Sequence, residues 1–184
     1  MRKDFGVKPW LYPQPVLIIG TYDKDKKANA MNAAWGGTYD MDKVIISLSS
    51  HKTTDNLKIS KAFTLSFATT ATAIESDFVG IVSQNKEPDK MEKAGLTPIP
   101  SKKVNAPLFE EYPLTMECEV DEFDEDKGIL IGKVINISVD EKIVKDGKID
   151  TDEFKAIVFD PINAKYRAVG EVIADAFQVG FALK

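Results

Sequence analysis

Apolar and polar residues alternate along much of this chain, with the period of two that is typical of strands with one buried face. The β-branched residues lie in short runs, which also favours strands over helices. The pattern predicts six strands, at Val16 to Tyr22, Ala28 to Trp35, Val44 to Ser49, Phe63 to Ala68, Leu114 to Phe123 and Ile129 to Val139. We therefore expect a mainly β fold.

Short and strongly polar segments join two pairs of these strands. Asp23 to Lys27 separates the first two strands, and Asp124 to Gly128 separates the last two, so both pairs are predicted to be hairpins. Signals for helices are fewer. They predict three helices, at Thr54 to Lys61, Ala71 to Val82 and Pro88 to Ala94. These helices should lie around the periphery of a β framework.

The length and composition indicate a single domain over residues 1–184. With 184 residues and 43% hydrophobic content, the chain can close one sizeable core. No repeat or low-complexity tract divides it. The proline-rich segment Thr97 to Pro107 is the one plausible boundary, but too few strands lie on either side of it to form separate barrels. We interpret this segment as a loop within the domain.

The charge and the cysteine count exclude several classes of function. A formal net charge of -5, with no run of basic residues, argues against nucleic-acid binding. The N-terminus carries charges and prolines where a signal peptide would be apolar, and no segment is apolar enough for a membrane span. We expect a cytoplasmic protein. One cysteine and one histidine exclude an internal disulfide and argue against a metal site.

The segment Ser49 to Leu57, SSHKTTDNL, combines hydroxyl groups with the chain's one histidine and a lysine. If a helix begins near Thr53 or Thr54, its free N–H groups, the hydroxyls and the cations converge on one point, as in a phosphate site. The same residue types are also preferred at an ordinary helix N-terminus. The residues alone leave both interpretations open.

A second unusual segment is Ala28 to Gly37, ANAMNAAWGG, in which four alanines and two glycines occupy a predicted strand. These residues are poor strand formers, so their presence there needs a reason. Small side chains let a flat ring system approach the backbone. They equally let a neighbouring helix or a subunit pack closely. The two unusual segments fall on neighbouring predicted strands, so a shared site is geometrically simple.

Residues for catalysis by the protein alone are mostly absent. Cys118 lies in an alternating strand, where a thiol is usually a small core side chain. The acids between Asp121 and Asp126 are typical of a solvated turn. Neither a GxGxxG nor a GxxxxGK[ST] motif occurs. No catalytic residue is predicted, and if the protein is an enzyme we expect a cofactor to carry the chemistry.

Six strings, in order from about Pro13 to Gly180, resemble the flavin reductase-like family, the FMN-binding split β-barrel, and most of all its flavoredoxin branch. They are PQPVLIIGTYD, NAMNAAWGG, SSHKTTDNLKISKAFTLSF, DFVGIVSQNKEPDKMEKAGLT, YPLTMECEV and YRAVGEVIADAFQVG. Two positions depart from the family pattern. Asn32 stands where many relatives have threonine or serine, and Gln84 where many have glycine.

The resemblance implies a six-stranded Greek-key barrel that works as a homodimer, with FMN bound near the subunit interface. It implies that the isoalloxazine ring is bordered by Ala33, Ala34 and Trp35. It implies that the phosphate and ribityl chain are held by Ser49, Ser50, His51, Lys52, Thr53 and Asn56. An FMN phosphate carries nearly two negative charges, which gives Lys52 a role in an otherwise acidic protein.

Two further groups of residues match the family. Ser83 and Lys90 lie in the segment that approaches the flavin or the second subunit in relatives, although Lys90 can also simply begin a short helix after Pro88. Tyr166 and Arg167 also match, and we expect structural roles for them.

The implied function is that of an FMN-dependent oxidoreductase. It would pass a hydride or electrons from a reduced nicotinamide, NADH or NADPH, or from a protein redox partner through bound FMN to an acceptor. One alternative is a non-enzymatic FMN-carrying protein for electron transfer or flavin storage. A second alternative is a protein that has the barrel fold but binds no flavin and serves as a structural or interaction module.

Overall fold

The structure, a computed structural model, describes residues 1–184. Its strands are β1 Gln14–Pro15, β2 Leu17–Tyr22, β3 Ala28–Ala33, β4 Gly36–Asp40, β5 Lys43–Ser47, β6 Ala62–Phe67, β7 Pro98–Pro100, β8 Pro107–Phe109, β9 Leu114–Asp124, β10 Ile129–Val139, β11 Val144–Lys145, β12 Lys148–Ile149, β13 Ile157–Asp160 and β14 Lys165–Ala168. Its α-helices are α1 Lys52–Ser60, α2 Ala73–Ile81, α3 Lys90–Ala94 and α4 Thr151–Phe154. Two short 3₁₀ helices, Glu141–Ile143 and Val179–Leu183, complete it.

Seven strands form one antiparallel sheet in the order β3-β2-β6-β9-β10-β5-β4. The strands β3 and β4 occupy opposite edges of this sheet, yet only Ala34 and Trp35 separate them along the chain. Two residues span less than about 11 Å even when fully extended, so the sheet has to curl until its edges meet. The fold is therefore a split barrel, and Ala34 and Trp35 form its seam.

The barrel interior is filled by apolar side chains from six strands and from α1. The inward-facing residues of β2, Leu17 and Ile19, pack there with Phe63 of β6 and Leu130 of β10. Leu57 of α1 is 1% exposed and belongs to the same cluster, so α1 covers the barrel. Cys118 also lies in this cluster, where burial, and then the nearby Glu117 carboxylate, raise the pKa of its thiol to about 12.

A second apolar layer lies outside the barrel under α2 and α3. Ile18 of β2 faces outward into it, together with Ala30 of β3 and Val79 of α2. Because both faces of β2 are covered, the strand is a nearly continuous apolar run rather than an alternating one. This packing brings α2 and α3 against β3, beside the seam of the barrel.

Most predicted elements are confirmed. Both predicted hairpins form, and β10 has the predicted bounds. One prediction is wrong in detail, because the strand expected over Ala28 to Trp35 ends at Ala33 and Gly36–Asp40 forms a separate strand. The sheet thus has seven strands rather than six. The reason is the change of sheet edge at Ala34 and Trp35, which a periodic pattern does not reveal. The mainly β, split-barrel fold class is confirmed.

None of the helices has both the length and the apolar character needed to cross a membrane.

Candidate functional site

Two adjoining cavities open beside the seam of the barrel. The first, here called the seam cavity, has a volume of about 360 Å³ and is lined by Met31, Asn32, Ala33, Ala34, Trp35, Ser47, Leu48, Ser49 and His51. The second, here called the inner cavity, has a volume of about 120 Å³ and is lined by Asn29, Met31, His51, Lys52, Thr53, Val79, Gly80, Ile81, Val82, Ser83, Gln84 and Lys90. Met31 and His51 line both, so the cavities are adjacent.

The wall of the seam cavity is shaped by small side chains at the end of β3. Ala33 is 8% exposed and Ala34 is half-buried, so neither fills the space in front of the backbone. Trp35 is 53% exposed, and its carbonyl oxygen accepts a hydrogen bond of 2.8 Å from Ser47 N–H. This bond ties the seam to the end of β5. The cavity therefore offers a flat ligand both a small-residue wall and an exposed indole ring.

The N-terminus of α1 lies where the two cavities meet. His51 precedes the helix in an extended conformation, and its N–H donates a 2.9 Å hydrogen bond to Thr54 Oγ1. The same hydroxyl donates to His51 O at 2.6 Å. The first N–H groups of a helix have no partner within the helix and carry partial positive charge. An anion is favoured at this point.

His51 has one ring nitrogen with a partner and one without. Its Nε2 lies 3.3 Å from Ser49 Oγ, whereas Nδ1 is buried and has no hydrogen-bond partner. Burial lowers the pKa of the ring, and the charge of Lys90 lowers it further. With a proton on Nδ1, the neutral ring accepts from the Ser49 hydroxyl and has a donor left for a ligand.

Lys90 is a buried cation without an acidic partner. The side chain is 2% exposed, and its Nζ donates hydrogen bonds to Ala30 O at 2.7 Å and Val79 O at 2.8 Å. An ammonium group has three protons, so one remains for a ligand in the inner cavity. Burial lowers the pKa of Lys90 to about 8. A buried cation next to a helix N-terminus is a strong electrostatic attraction for an anion.

Neutral polar groups complete the inner cavity. Thr53, which is 1% exposed, accepts a 2.9 Å hydrogen bond from Asn29 Nδ2, and Gln84 Nε2 donates to Ala28 O at 2.8 Å. The amide oxygens Asn29 Oδ1 and Gln84 Oε1 are buried and have no partner. Since buried polar atoms are usually paired, the cavity is suited to a polar ligand group or ordered water.

The structure brings most of the predicted site residues together. The seam cavity collects Ala33, Ala34, Trp35, Ser49 and His51, and the inner cavity collects His51, Lys52, Thr53, Ser83 and Lys90. The Nζ atom of Lys52 lies 3.7 Å from Asp23, so its charge is shared with a carboxylate.

Two predicted residues are not brought to either cavity. Ser50 is exposed outside both, and Asn56 is fully buried beneath α1, where its Nδ2 donates to Thr21 Oγ1 at 3.0 Å. Sequence reasoning missed Asn29, and it noted Asn32 and Gln84 as departures from the family without placing them in a site. One feature of the sequence could have indicated Asn29: it is a polar residue within a predicted strand of mostly apolar residues.

Tyr166 and Arg167 hold β14 to the rest of the protein. The Tyr166 hydroxyl donates a 2.8 Å hydrogen bond to Asp77 of α2, and burial, followed by Asp77, raises the pKa of Tyr166 to about 12. Arg167 Nε donates at 2.8 Å to Asp160, which is 2% exposed. Hydrogen bonds from Asn163 and Arg167 lower the pKa of Asp160 to about 2. These contacts favour the structural roles predicted for both residues.

Comparison with known proteins identifies what the chain is similar to. Residues 10–156 match the flavin reductase like domain family. The flavoredoxin of Desulfovibrio vulgaris (Miyazaki F) has a similar structure, with a TM-score of 0.93 and 34% identity over 98% of this chain and 100% of that one. A flavoredoxin from Methanosarcina acetivorans gives a TM-score of 0.88 and 21% identity, covering 100% of both chains. An FMN-binding protein from Thermus thermophilus gives 0.75 and 18%, covering 95% of this chain and 100% of that one.

Proposed function

This chain belongs to the flavin reductase-like family, and from that premise we propose that it is an FMN-binding oxidoreductase. The observation that carries the proposal is the pair of adjoining cavities, one with small-residue walls and the other with a buried cation. Their lining residues suit a ligand with a flat ring at one end and a phosphate at the other. FMN is such a ligand, and a solved protein of similar fold is described as FMN-binding.

The inner cavity fits the phosphate. Lys90 has a proton free for an anion, and His51 has an unpartnered Nδ1. Lys52 and Thr53, the first residues of α1, line the same cavity. A phosphate with nearly two negative charges would satisfy these donors together. We propose that Thr53 and Ser83 supply additional hydroxyl contacts. Lys52, which is paired with Asp23, contributes a weaker attraction.

The seam cavity fits the isoalloxazine ring. Ala33 and Ala34 leave the backbone accessible, so main-chain groups can address the polar edge of the ring. Trp35 covers part of its apolar surface. Bound FMN supplies the chemistry, because its ring accepts and releases a hydride or electrons. The protein's own residues bind the ring, orient it and exclude water from one face.

The wider reaction is part of the same proposal. The donor would be a reduced nicotinamide or a protein, and bound FMN would pass the hydride or electrons to an acceptor. The active form is a homodimer. No side chain of the chain is assigned as a general acid or base, because transfer to and from the flavin ring requires none. The site's residues act by binding and by tuning the cofactor.

The decisive experiment is a visible absorption spectrum of the purified protein, recorded before and after anaerobic addition of NADH or NADPH. We expect a bound-flavin spectrum that is bleached by at least one of the two nicotinamides. Steady-state oxidation of each nicotinamide, with and without added free flavin, then separates a bound cofactor from an exchanging substrate. A coloured protein that neither nicotinamide reduces would instead be an electron carrier or a flavin store. A colourless protein that fails to take up FMN would contradict the proposal entirely.

A further inference from the structure

The C-terminal arm, defined here as residues 169–184, leaves the body of the protein after β14. Every residue of the arm is exposed. None of its side chains belongs to an apolar cluster of the protein, and its one backbone hydrogen bond to the body runs from Val169 N–H to Ala156 O. The other backbone bonds of the arm are local. The arm is thus not packed on its own chain.

The composition of the arm is that of a buried segment. Ile173 is 97% exposed, Phe177 94% and Leu183 94%, although such side chains are normally covered in a folded protein. The backbone of Phe177 has a φ of 63°, a left-handed conformation that is unfavourable for a residue with a bulky side chain. Such conformations persist where surrounding structure holds them. Hydrogen bonds from Gln178 N–H and Val179 N–H to Asp175 O close the turn around Phe177, so its backbone is held locally. The exposed apolar side chains of the arm have no such cover.

The whole chain also exposes more surface than a compact monomer of its mass. The chain exposes 11778 Å², whereas a compact monomer of 20.4 kDa exposes about 8,800 Å². The excess is about 3,000 Å² per chain, and the exposed N-terminal residues 1–9 contribute to it together with the arm. A standard interface covers about 800 Å² on each partner. An excess of this size is typical of a permanent association between chains. Most soluble oligomers consist of copies of one chain, so a second copy is the expected partner.

The same chain carries an apolar cavity that its own arm does not fill. The segment Lys8 to Leu11 and the barrel residues Trp35, Gly37 and Ile45 border an apolar cavity of about 740 Å³, here called the Trp10–Trp35 cavity. No residue of the chain's own arm lines it. Trp35 and Ser47 line both this cavity and the seam cavity. A segment seated here would therefore also close one side of the seam cavity.

We propose that the C-terminal arm of one chain crosses to a second copy and seats its apolar side chains in that copy's Trp10–Trp35 cavity. Each copy has one arm and one receptor, so a two-fold arrangement satisfies both at once. The exchange specifies the contact that makes the proposed homodimer, and on that proposed function the partner's arm forms an outer wall of each flavin site. Arm exchange itself is independent of flavin binding.

The first test compares oligomeric states without flavin. The Ile173→Ser/Phe177→Ser variant removes two exposed apolar side chains from the arm, and Met41→Ser/Ile74→Ser removes two of similar exposure elsewhere. We expect the native chain and the control to have the mass of a dimer by light scattering, and the arm variant to be largely monomeric. A monomeric native chain, or an arm variant as dimeric as the control, would overturn the proposal.

The second test locates the seat of the arm in the full chain. In a Gly37→Cys/Phe177→Cys variant, the new side chain at position 37 meets no atom within 4 Å, and the native Cys118 is buried. Mild oxidation should give a covalent dimer on a non-reducing gel, whereas Met41→Cys/Phe177→Cys should not. An intrachain disulfide, or no disulfide, would refute the seat. Neither test uses flavin. If the native chain binds no FMN, the proposed function fails, but the two tests still decide whether the arm is exchanged.

Discussion

Lys90 donates a 2.7 Å hydrogen bond from its Nζ to the carbonyl oxygen of Ala30, and this contact fixes a buried positive charge beside the small-residue strand of the barrel. A second bond to Val79 O ties the same ammonium to α2. The two backbone carbonyls orient the group without neutralising it. The third proton and the full charge of Lys90 therefore remain available to a ligand in the inner cavity.

Replacement of Lys90 by glutamine tests the role of this charge. Lys90→Gln keeps a hydrogen-bond donor but removes the cation, so FMN affinity should fall about 10- to 100-fold, since hydrogen bonds to charged groups contribute about 1.5 to 3 kcal/mol. Fluorescence titration measures the change. The control is Lys93→Gln on the same helix, where the lysine is exposed and paired with Glu87 and Asp89.

Riboflavin provides a second comparison for these variants. Because it lacks the phosphate, its affinity should be lower than that of FMN in the native chain and nearly unchanged by Lys90→Gln. Equal losses for FMN and riboflavin would mean that Lys90 supports the fold of the site rather than the phosphate.

FMN affinity should also depend on pH in the alkaline range. Burial lowers the pKa of Lys90 to about 8 in the free protein, and a bound phosphate would raise it again. Binding therefore takes up a proton above pH 8, and affinity should fall by up to about tenfold per pH unit there. The pKa of His51 is lowered by burial and by Lys90, so the ring stays neutral throughout this range. An equally steep loss in Lys90→Gln would assign the effect to another group.

The strand pattern predicts most of the fold because the sheet is antiparallel and largely alternating. Strand β10 and its hairpin with β9 follow directly from alternation and an acidic turn. The seam cannot be predicted from alternation. Ala34 and Trp35 join two edges of a curled sheet, but in the sequence they look like a continuation of β3. Closure depends on the pairing of β4 with β5, which is a contact between strands rather than a local property.

The site is predictable to the extent that its residues are close in sequence. Ser49, His51, Lys52 and Thr53 lie within five consecutive residues at the start of α1, so their convergence is a local matter of helix capping. The sequence leaves the role of Lys90 open, because a charged residue shortly after a proline commonly begins a helix. Its role emerges from tertiary packing, which buries the side chain against β3 and α2. Asn56 shows the converse, since helical periodicity turns it away from the cavities toward Thr21.

A larger side chain at Ala34 should block the ring without disturbing the core. Ala34 is half-buried and lines the seam cavity, so the side chain of Ala34→Leu would extend into the space proposed for the flavin. We expect flavin affinity to fall about 5- to 150-fold, since overpacking costs about 1 to 3 kcal/mol. The control is Ala34→Ser, which adds little volume. Unchanged flavin affinity in Ala34→Leu would move the ring away from the seam.

The barrel interior should be intolerant of one methyl group at Gly132 of β10. A Cβ atom there would lie 2.3 Å from Phe63 Cζ and 2.7 Å from Phe63 Cε1, and the Phe63 side chain is fully buried. Because the ring can move only by displacing the core, Gly132→Ala should lower the free energy of unfolding by about 1 to 3 kcal/mol. Gly37→Ala in β4 is the matched control, since its new Cβ meets nothing within 4 Å. Urea denaturation of both variants measures the difference, and equal midpoints would mean that the barrel relaxes around Phe63 at little cost.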